Sequence, residues 1–321
     1  MKMKINKMMI YRLCVSVCLL WACIKFVGAQ DAEPAKAPLD VNSEVVASKE
    51  IKALLRFVPM PENQLPTAFK DTSENVILDP MGSLDGFFAK IADMQRPVRI
   101  VHIGDSHIRG HVLPYVMRQS LEDDFGNEAV ESKPVTYKTS GIAQETGRPG
   151  IVYHILGVNG ATCQSFATIE RINEITSLSP DLVILSFGTN EAHGRNYSAA
   201  EHRAGMQHLM SAIKKACPDV AFLLTTPPGA YVRSSKGRVA NPRTPAVVQT
   251  ELDYAEREGI AVWNLYEISG GKKSACKNWS GGGFFQKDRI HFTHEGYRVQ
   301  GLLMHEAFIK AYNGYVAAGI D

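Results

Sequence analysis

From Val98 onward the chain repeats one pattern: a short apolar run, a turn rich in Gly, Asn or Asp, and then a stretch with helical spacing. The runs Val98–Ile103, Ile151–Leu156, Asp181–Phe187, Val220–Thr225 and Ile260–Trp263 read as strands. DLVILSF at 181–187 is the strongest of them. Ser83–Met94, Val112–Phe125, Ser165–Ile175, Ala199–Ala216, Thr244–Glu258 and Thr293–Ala311 read as helices, with Ser83 as an N-cap and Pro114 tolerated in a first turn. Strands that are apolar throughout have no face to give to water, so helices must cover both sides. The pattern therefore predicts an α/β fold with a mostly parallel five-stranded sheet. No internal repeat is visible.

The N-terminus follows other rules. Lys2, Lys4, Lys7 and Arg12 precede the apolar run Leu13–Ile24, and Val27-Gly28-Ala29 follows it. A basic start, about a dozen apolar residues and small residues before a cut describe a secretory signal peptide over residues 1–29. Lys25 ends the run short of the ~20 residues that a membrane span needs. Lipid attachment at Cys23 is the alternative, although Trp21 fits a lipobox poorly. Export to the periplasm or beyond is the expectation, with no membrane span left after cleavage. Residues 30–75 read as a linker or an extension lying on the main domain, with a short helix around Val45–Phe57. Residues 76–321 form the principal domain.

Composition enters through that division. The 321 residues carry a net charge of +2, but residues 1–29 hold five of the 35 Lys/Arg and no acid. Without them 30 basic residues face 33 acidic ones, a net charge of −3, and the case for a nucleic-acid partner is lost. Cys163, Cys217 and Cys276 remain, with no CxxC and no metal-ligand spacing. One disulfide is open to an exported protein, its pair unspecified.

In open α/β sheets the ligand site lies beyond the carboxyl ends of the strands. The segments there are Gly104-Asp105-Ser106-His107, Gly157-Val158-Asn159-Gly160, Gly188-Thr189-Asn190-Glu191 and, further on, Asp288-Arg289-Ile290-His291. These residue types suit acyl transfer. A serine hydroxyl needs a base, a histidine supplies it, and a carboxylate fixes that histidine's tautomer. Asp288 and His291 are spaced for one turn to aim the carboxylate at the ring. The Ser106 N–H, the Gly160 N–H and the Asn190 amide are candidate donors to an oxyanion. Glycine at 160 suits a donor that a ligand approaches closely.

GDS at 104–106, Gly160, GTNE at 188–191 and DxxH at 288–291 match, in order, the four blocks of the SGNH/GDSL hydrolases. The resemblance spans about Val98 to Tyr312. It implies a flavodoxin-like three-layer α/β/α fold, no metal or other cofactor, a triad of Ser106, Asp288 and His291, and oxyanion donors at Ser106, Gly160 and Asn190. IVHIGDSHIRG (100–110), VNGAT (158–162), PDLVILSFGTNEA (180–192), LLTTPP (223–228) and DRIHFTHEGYRVQG (288–301) further resemble the bacterial peptidoglycan O-acetylesterase branch. Some members of that branch carry a carbohydrate-binding insert after the serine block; Gly126–Gly150 is too short for one.

Other polar residues have blander readings. Asp105 reads as an acceptor for turn amides, Glu191 as a loop-stabilising acceptor and His102 as a core histidine. His107 reads either as a pocket residue that contacts substrate or as a structural one. His294 competes with His291 as base but lacks an acid three residues before it. Trp279 and Gly281–Phe285 read either as a sugar-contacting lid or as a plain flexible loop. No GxSxG elbow, Walker loop, complete GxGxxG or HExxH is present. The expectation is an exported serine esterase that deacetylates a carbohydrate polymer, peptidoglycan first. The alternatives are an esterase for plant or host polysaccharide, a lipase-like hydrolase, an acetyl transferase, and a carbohydrate-binding cell-wall protein.

Overall fold

The computed structural model describes residues 56–62, 65–131, 141–235 and 237–319. The expected signal peptide, Cys23, residues 30–55 and most of the helix at Val45–Phe57 lie outside the described residues. The described residues fall within one compact unit, Lys49–Asp321. Among them no helix is long and apolar enough to cross a membrane.

In chain order, β1 (Ile77–Leu78) and α1 (Asp85–Asp93) lead to β2 (Pro97–Gly104), α2 (Ser106–Arg109) and α3 (Val112–Phe125). Then come β3 (Gly150–Gly157), α4 (Cys163–Phe166), α5 (Ile169–Ser177), β4 (Leu182–Ser186), α6 (Thr189–His193) and α7 (Ala199–Ala216). After β5 (Ala221–Thr225), the strands β6 (Tyr231–Ser234) and β7 (Gly237–Ala240) form a hairpin. The chain ends with α8 (Thr244–Glu258), β8 (Ala261–Trp263), α9 (Leu265–Ile268), α10 (Gly271–Gly281) and α11 (His294–Ala318).

The main sheet has the order β1-β8-β5-β4-β2-β3. Its five longer strands are parallel and have the flavodoxin-like order, which reverses direction between β2 and β4. The sixth, β1, pairs antiparallel with β8; at two residues it is too short to show a pattern in sequence. Side chains along the central strands alternate between two cores, while Val152 of β3 packs in a small third cluster. Ile100, Tyr153, Ile184 and Leu223 pack with α1, α3 and α11 on one face. Val101, Val183, Leu185, Phe222 and Leu224 pack with α7 and α8 on the other. The result is the expected three layers.

Register is what makes a site. Gly104 is level with Gly157 and with Ser186, Ser186 with Thr225, and Thr225 with Trp263. All five parallel strands thus end in line, and their loops leave from one rim. Beneath that rim a polar belt crosses the sheet. Tyr153 Oη meets His102 Nδ1 at 2.8 Å, His102 Nε2 meets Ser186 Oγ at 2.7 Å, and Ser186 Oγ meets Thr225 Oγ1 at 2.7 Å. Burial lowers the His102 pKa to about 3, so this ring is a neutral core histidine, as the sequence indicates.

Local chemistry moves several element ends. The helix expected at Ser165–Ile175 is two helices, because Thr162 caps α4 and Thr168 caps α5. Ser83 does not cap α1 with its own side chain; Asp79 accepts from the Ser83 and Leu84 N–H groups instead. Asp181, expected in a strand, stands just before β4 and pairs with Arg96 at 2.6 Å and Lys90 at 2.9 Å. Trp279 and Gly281 lie in a helix, α10, whereas Gly282–Phe285 after it form a turn and a single bridge from Phe285 to Phe292. Residues just before β1 also pack on the domain: Phe69 stacks edge-on against Trp279, and Asn75 bonds Trp263 Nε1 and the Leu303 carbonyl.

Candidate active site

The rim is assembled from the first turn after each strand. Asp105 ends the β2 turn and caps the four-residue α2, accepting from His107 N–H at 2.8 Å. That cap fixes Ser106 as the first helical residue. At the other end of the chain, Asp288 uses each oxygen differently. Oδ1 accepts the Ile290 and His291 N–H groups at 2.9 and 3.0 Å, closing a turn in which Arg289 adopts φ +62°. Oδ2 meets His291 Nδ1 at 2.7 Å. The spacing DxxH therefore lets one carboxylate shape the loop and aim the ring.

Across the rim, His291 Nε2 lies 2.9 Å from Ser106 Oγ. With the Nδ1 proton directed to Asp288, the Nε2 lone pair faces the serine. Burial pushes the Asp288 carboxyl up, but hydrogen bonds from the His291 ring and from the Ile290 and His291 amides outweigh it and hold it below the usual carboxylate value. The loop is braced from outside: Tyr231 N–H donates to the Arg289 carbonyl at 2.9 Å, and the Arg238 guanidinium donates to the Asp288 carbonyl.

Ser106, Gly160, Asn190 and His291 line one open cleft of about 790 Å³. Gly160 has φ +73°, and a Cβ there would meet nothing within 4 Å. Glycine is thus required by the left-handed backbone rather than by crowding in the free protein, a correction to the sequence argument. The Asn190 amide is oriented by the Ala161 carbonyl, which can only accept: Nδ2 donates to it and to Asp105 Oδ2, both at 3.0 Å. An oxyanion would share or take one of those hydrogens. Asp105 is fully buried, and its pKa is raised to about 7, chiefly by burial.

The GDSL-like lipase/acylhydrolase family profile matches residues 103–299, which include Ser106, Gly160, Asn190, Asp288 and His291. The chain belongs to this family. It is a carboxylic ester hydrolase. Among solved structures, one described as a peptidoglycan O-acetylesterase in action superposes with a TM-score of 0.62 at 18% identity, covering 74% of this chain and 99% of that one. An acetyl xylan esterase gives 0.48 at 16% identity, over 64% of this chain and 98% of its own. A GDSL-like lipase from Bacteroides thetaiotaomicron gives 0.42 at 19% identity, over 71% and 98%. The first of these establishes likeness of fold. No curated protein matches the sequence.

Two residues expected at the substrate face of this GDSL-like hydrolase are elsewhere. Trp279 is fully buried, edge-on to Phe69, Phe284 and Phe292, and is not among the residues that line the cleft holding Ser106. His107 is buried beside Ser106, with Nδ1 2.9 Å from Tyr297 Oη and its ring 5.4 Å from that of His291. Burial lowers its pKa to about 3, so it is a neutral prop rather than a substrate contact. His294 is exposed at the start of α11 and faces no serine partner among the described residues. Glu191 accepts from Gly188 and Cys163 N–H groups, as a loop acceptor should. The three cysteines are free.

Residues that the sequence did not single out also line the cleft: Arg109, Asn159, His193 and Gln286. Each had a signal of position alone. Arg109 lies three residues beyond Ser106, and His193 three beyond Asn190, one helical turn in each case.

Proposed function

We propose that the chain is an exported serine esterase that removes O-acetyl groups from a carbohydrate polymer, peptidoglycan being the first choice. The observation that carries this reading is the continuous line Ser106 Oγ–His291 Nε2–Asp288, at 2.9 and 2.7 Å. His291 takes the Ser106 proton as Oγ attacks the acetyl carbonyl, and Asp288 stabilises the imidazolium. The Ser106 and Gly160 N–H groups and the Asn190 amide receive the oxyanion. Collapse releases the sugar hydroxyl, protonated by His291, and leaves an acetyl-serine. Water deprotonated by the same ring then frees acetate.

Arg109, Asn159, Asn190, His193 and Gln286 line the cleft and give the hydroxyls of a sugar groups to bond. Arg109 adds a cation suited to a polymer that carries carboxylates. The sequence blocks shared with the peptidoglycan O-acetylesterase branch, and the fold likeness to a protein described by that activity, point the same way. Export rests on the basic and apolar pattern of residues 1–29.

The test is acetate release from O-acetylated peptidoglycan and from acetylated xylan, beside a series of esters from acetyl to octanoyl. Faster release from peptidoglycan and a preference for acetyl are expected. Equal or faster release from xylan would remove the peptidoglycan assignment, and a preference for octanoyl would remove the carbohydrate one. Ser106→Ala should lower turnover of a small acetyl ester by several orders of magnitude while the protein stays folded. Near-wild-type turnover in that variant would sink the mechanism.

A further inference from the structure

Behind Asn190, on the side away from the cleft, four side chains that the ester chemistry does not use converge. Cys163 opens α4, Glu191 lies in α6, His202 in α7 and Glu251 in α8; all four are buried. One donor atom each from Cys163, Glu191 and His202 lies within 4.8 Å of the others. His202 Nε2 stands 3.8 Å from Glu191 Oε1 and 3.7 Å from Glu251 Oε1. Those separations are too long for hydrogen bonds. Both His202 Nε2 and Glu251 Oε2 are buried without a hydrogen-bond partner. Among the described residues neither glutamate has a Lys or Arg ion-pair partner.

Counting protons shows what Nε2 presents to these carboxyl groups. The Ala246 carbonyl can only accept, and Thr250 Oγ1 donates to it at 2.9 Å. Tyr197 Oη donates to Thr250 Oγ1 at 2.7 Å, so at its 3.2 Å contact with His202 Nδ1 the ring is the donor. The proton sits on Nδ1, and Nε2 turns a bare lone pair toward two carboxyl groups and a thiol. An imidazole whose far nitrogen is held by a hydrogen-bonded chain is the arrangement found around metal-ligating histidines. Tetrahedral coordination with metal–ligand distances of about 2.0–2.3 Å puts neighbouring donors about 3.4–3.6 Å apart. The two His202–glutamate pairs would close by a few tenths of an ångström, and Cys163 Sγ, within 4.8 Å of the Glu191 and His202 donors, would move in further, by up to about 1 Å. A cavity of about 150 Å³ lined by Glu191, His202, Tyr197 and Asn190 offers a way in.

We propose that Cys163, Glu191, His202 and Glu251 form a binding site for a divalent zinc-type cation that ties together the two loops carrying Gly160 and Asn190. Thiolate, imidazole and carboxylate donors select such an ion over calcium or magnesium. Its role is positional. Glu191 already anchors Gly188 and Cys163 through their N–H groups, and Asn190, its neighbour, lines both this cavity and the catalytic cleft. The site goes beyond the proposed esterase reaction and takes no part in its proton transfers.

The experiment uses the untagged full chain, stripped with a chelator, dialysed against Zn²⁺ and assayed for bound metal. One equivalent should remain, and the melting temperature should rise by about 5–10 °C at a hundredfold excess over Kd. Cys163→Ser and His202→Ala should weaken binding by at least about 100-fold, and Tyr197→Phe, a milder change, by about 10-fold or more. Cobalt in place of zinc should show a thiolate charge-transfer band that survives Cys217→Ser but not Cys163→Ser. Failure of the wild type to retain zinc, equal retention by His202→Ala, or a cobalt spectrum without the thiolate band would each overturn the proposal. Esterase activity is not read in any of these arms, so the two proposals fail separately.

Discussion

Asp105 serves two neighbours at once: one oxygen caps the helix that begins with Ser106, and the other orients the Asn190 amide. Replacement by Asn keeps the first role and sets an amide against an amide in the second. Asp105→Asn should lower kcat for an acetyl ester about 10- to 100-fold with little change in KM, as expected for loss of a group that positions an oxyanion donor. It should also change the dependence of stability on pH. Because burial raises this carboxyl from 3.8 to about 7, the folded protein binds more protons than the unfolded chain between those values. Stability from this group is therefore full at low pH, falls as pH rises from about 4 to about 7, and then levels off. Urea melts across that range should show the decline in the wild type and a smaller one in Asp105→Asn; parallel curves would refute the assignment. Ser106, Asp288 and His291 could be placed on one rim from sequence because each follows a strand or sits in a spacing that one turn can close. The sequence left Trp279 and His107 open between substrate contact and a structural or loop role, because the aromatic cluster around the one and the Tyr297 partner of the other come from distant segments.

Among the elements, legibility followed burial pattern. The helices α3, α7 and α8 have the ends read from sequence, and the five parallel strands lie within a residue of theirs, since their apolar periods are long and uninterrupted. The helix α10 was missed because GKKSACKNWSG is polar apart from a few buried positions and is bounded by glycines. What makes it a helix is tertiary: Trp279 fills a pocket of rings, and Asn278 Nδ2 donates to the Lys70 and Ser269 carbonyls. This placement predicts that Trp279→Phe destabilises the protein by about 1–3 kcal/mol and leaves KM for sugar acetates within about twofold. A rise in KM without loss of melting temperature would return the tryptophan to the substrate face. Gly188 tests the α6 turn: at φ +102°, with a Cβ 2.7 Å from Glu251 Oε1 and 2.9 Å from Pro227, it has no room for alanine. Gly188→Ala should cost more stability than Gly160→Ala, whose Cβ meets open space, and thermal melts of the two variants would show it.

Across the whole molecule, the parallel sheet was implicit in the repeated strand–helix pattern and its flavodoxin-like arrangement in the family resemblance, whereas β1 and the β6–β7 hairpin had too little periodicity to announce themselves. That hairpin has a further consequence. Its turn, flanked by exposed Ser234, Ser235 and Gly237, falls after Ser106, Gly160 and Asn190 and before Asp288 and His291, and the Ser106–His291 contact spans 185 residues. Severing the chain at the tip would leave Ser106 in one piece and Asp288 and His291 in the other, so on the proposed mechanism neither piece holds both nucleophile and base. The β5–β8 ladder and the packing of α11 on α3 would still hold the pieces together. Such halves, made separately, should be inert on an acetyl ester and recover activity when mixed. The enzyme is then a natural reporter of association, silent until its two parts find one another.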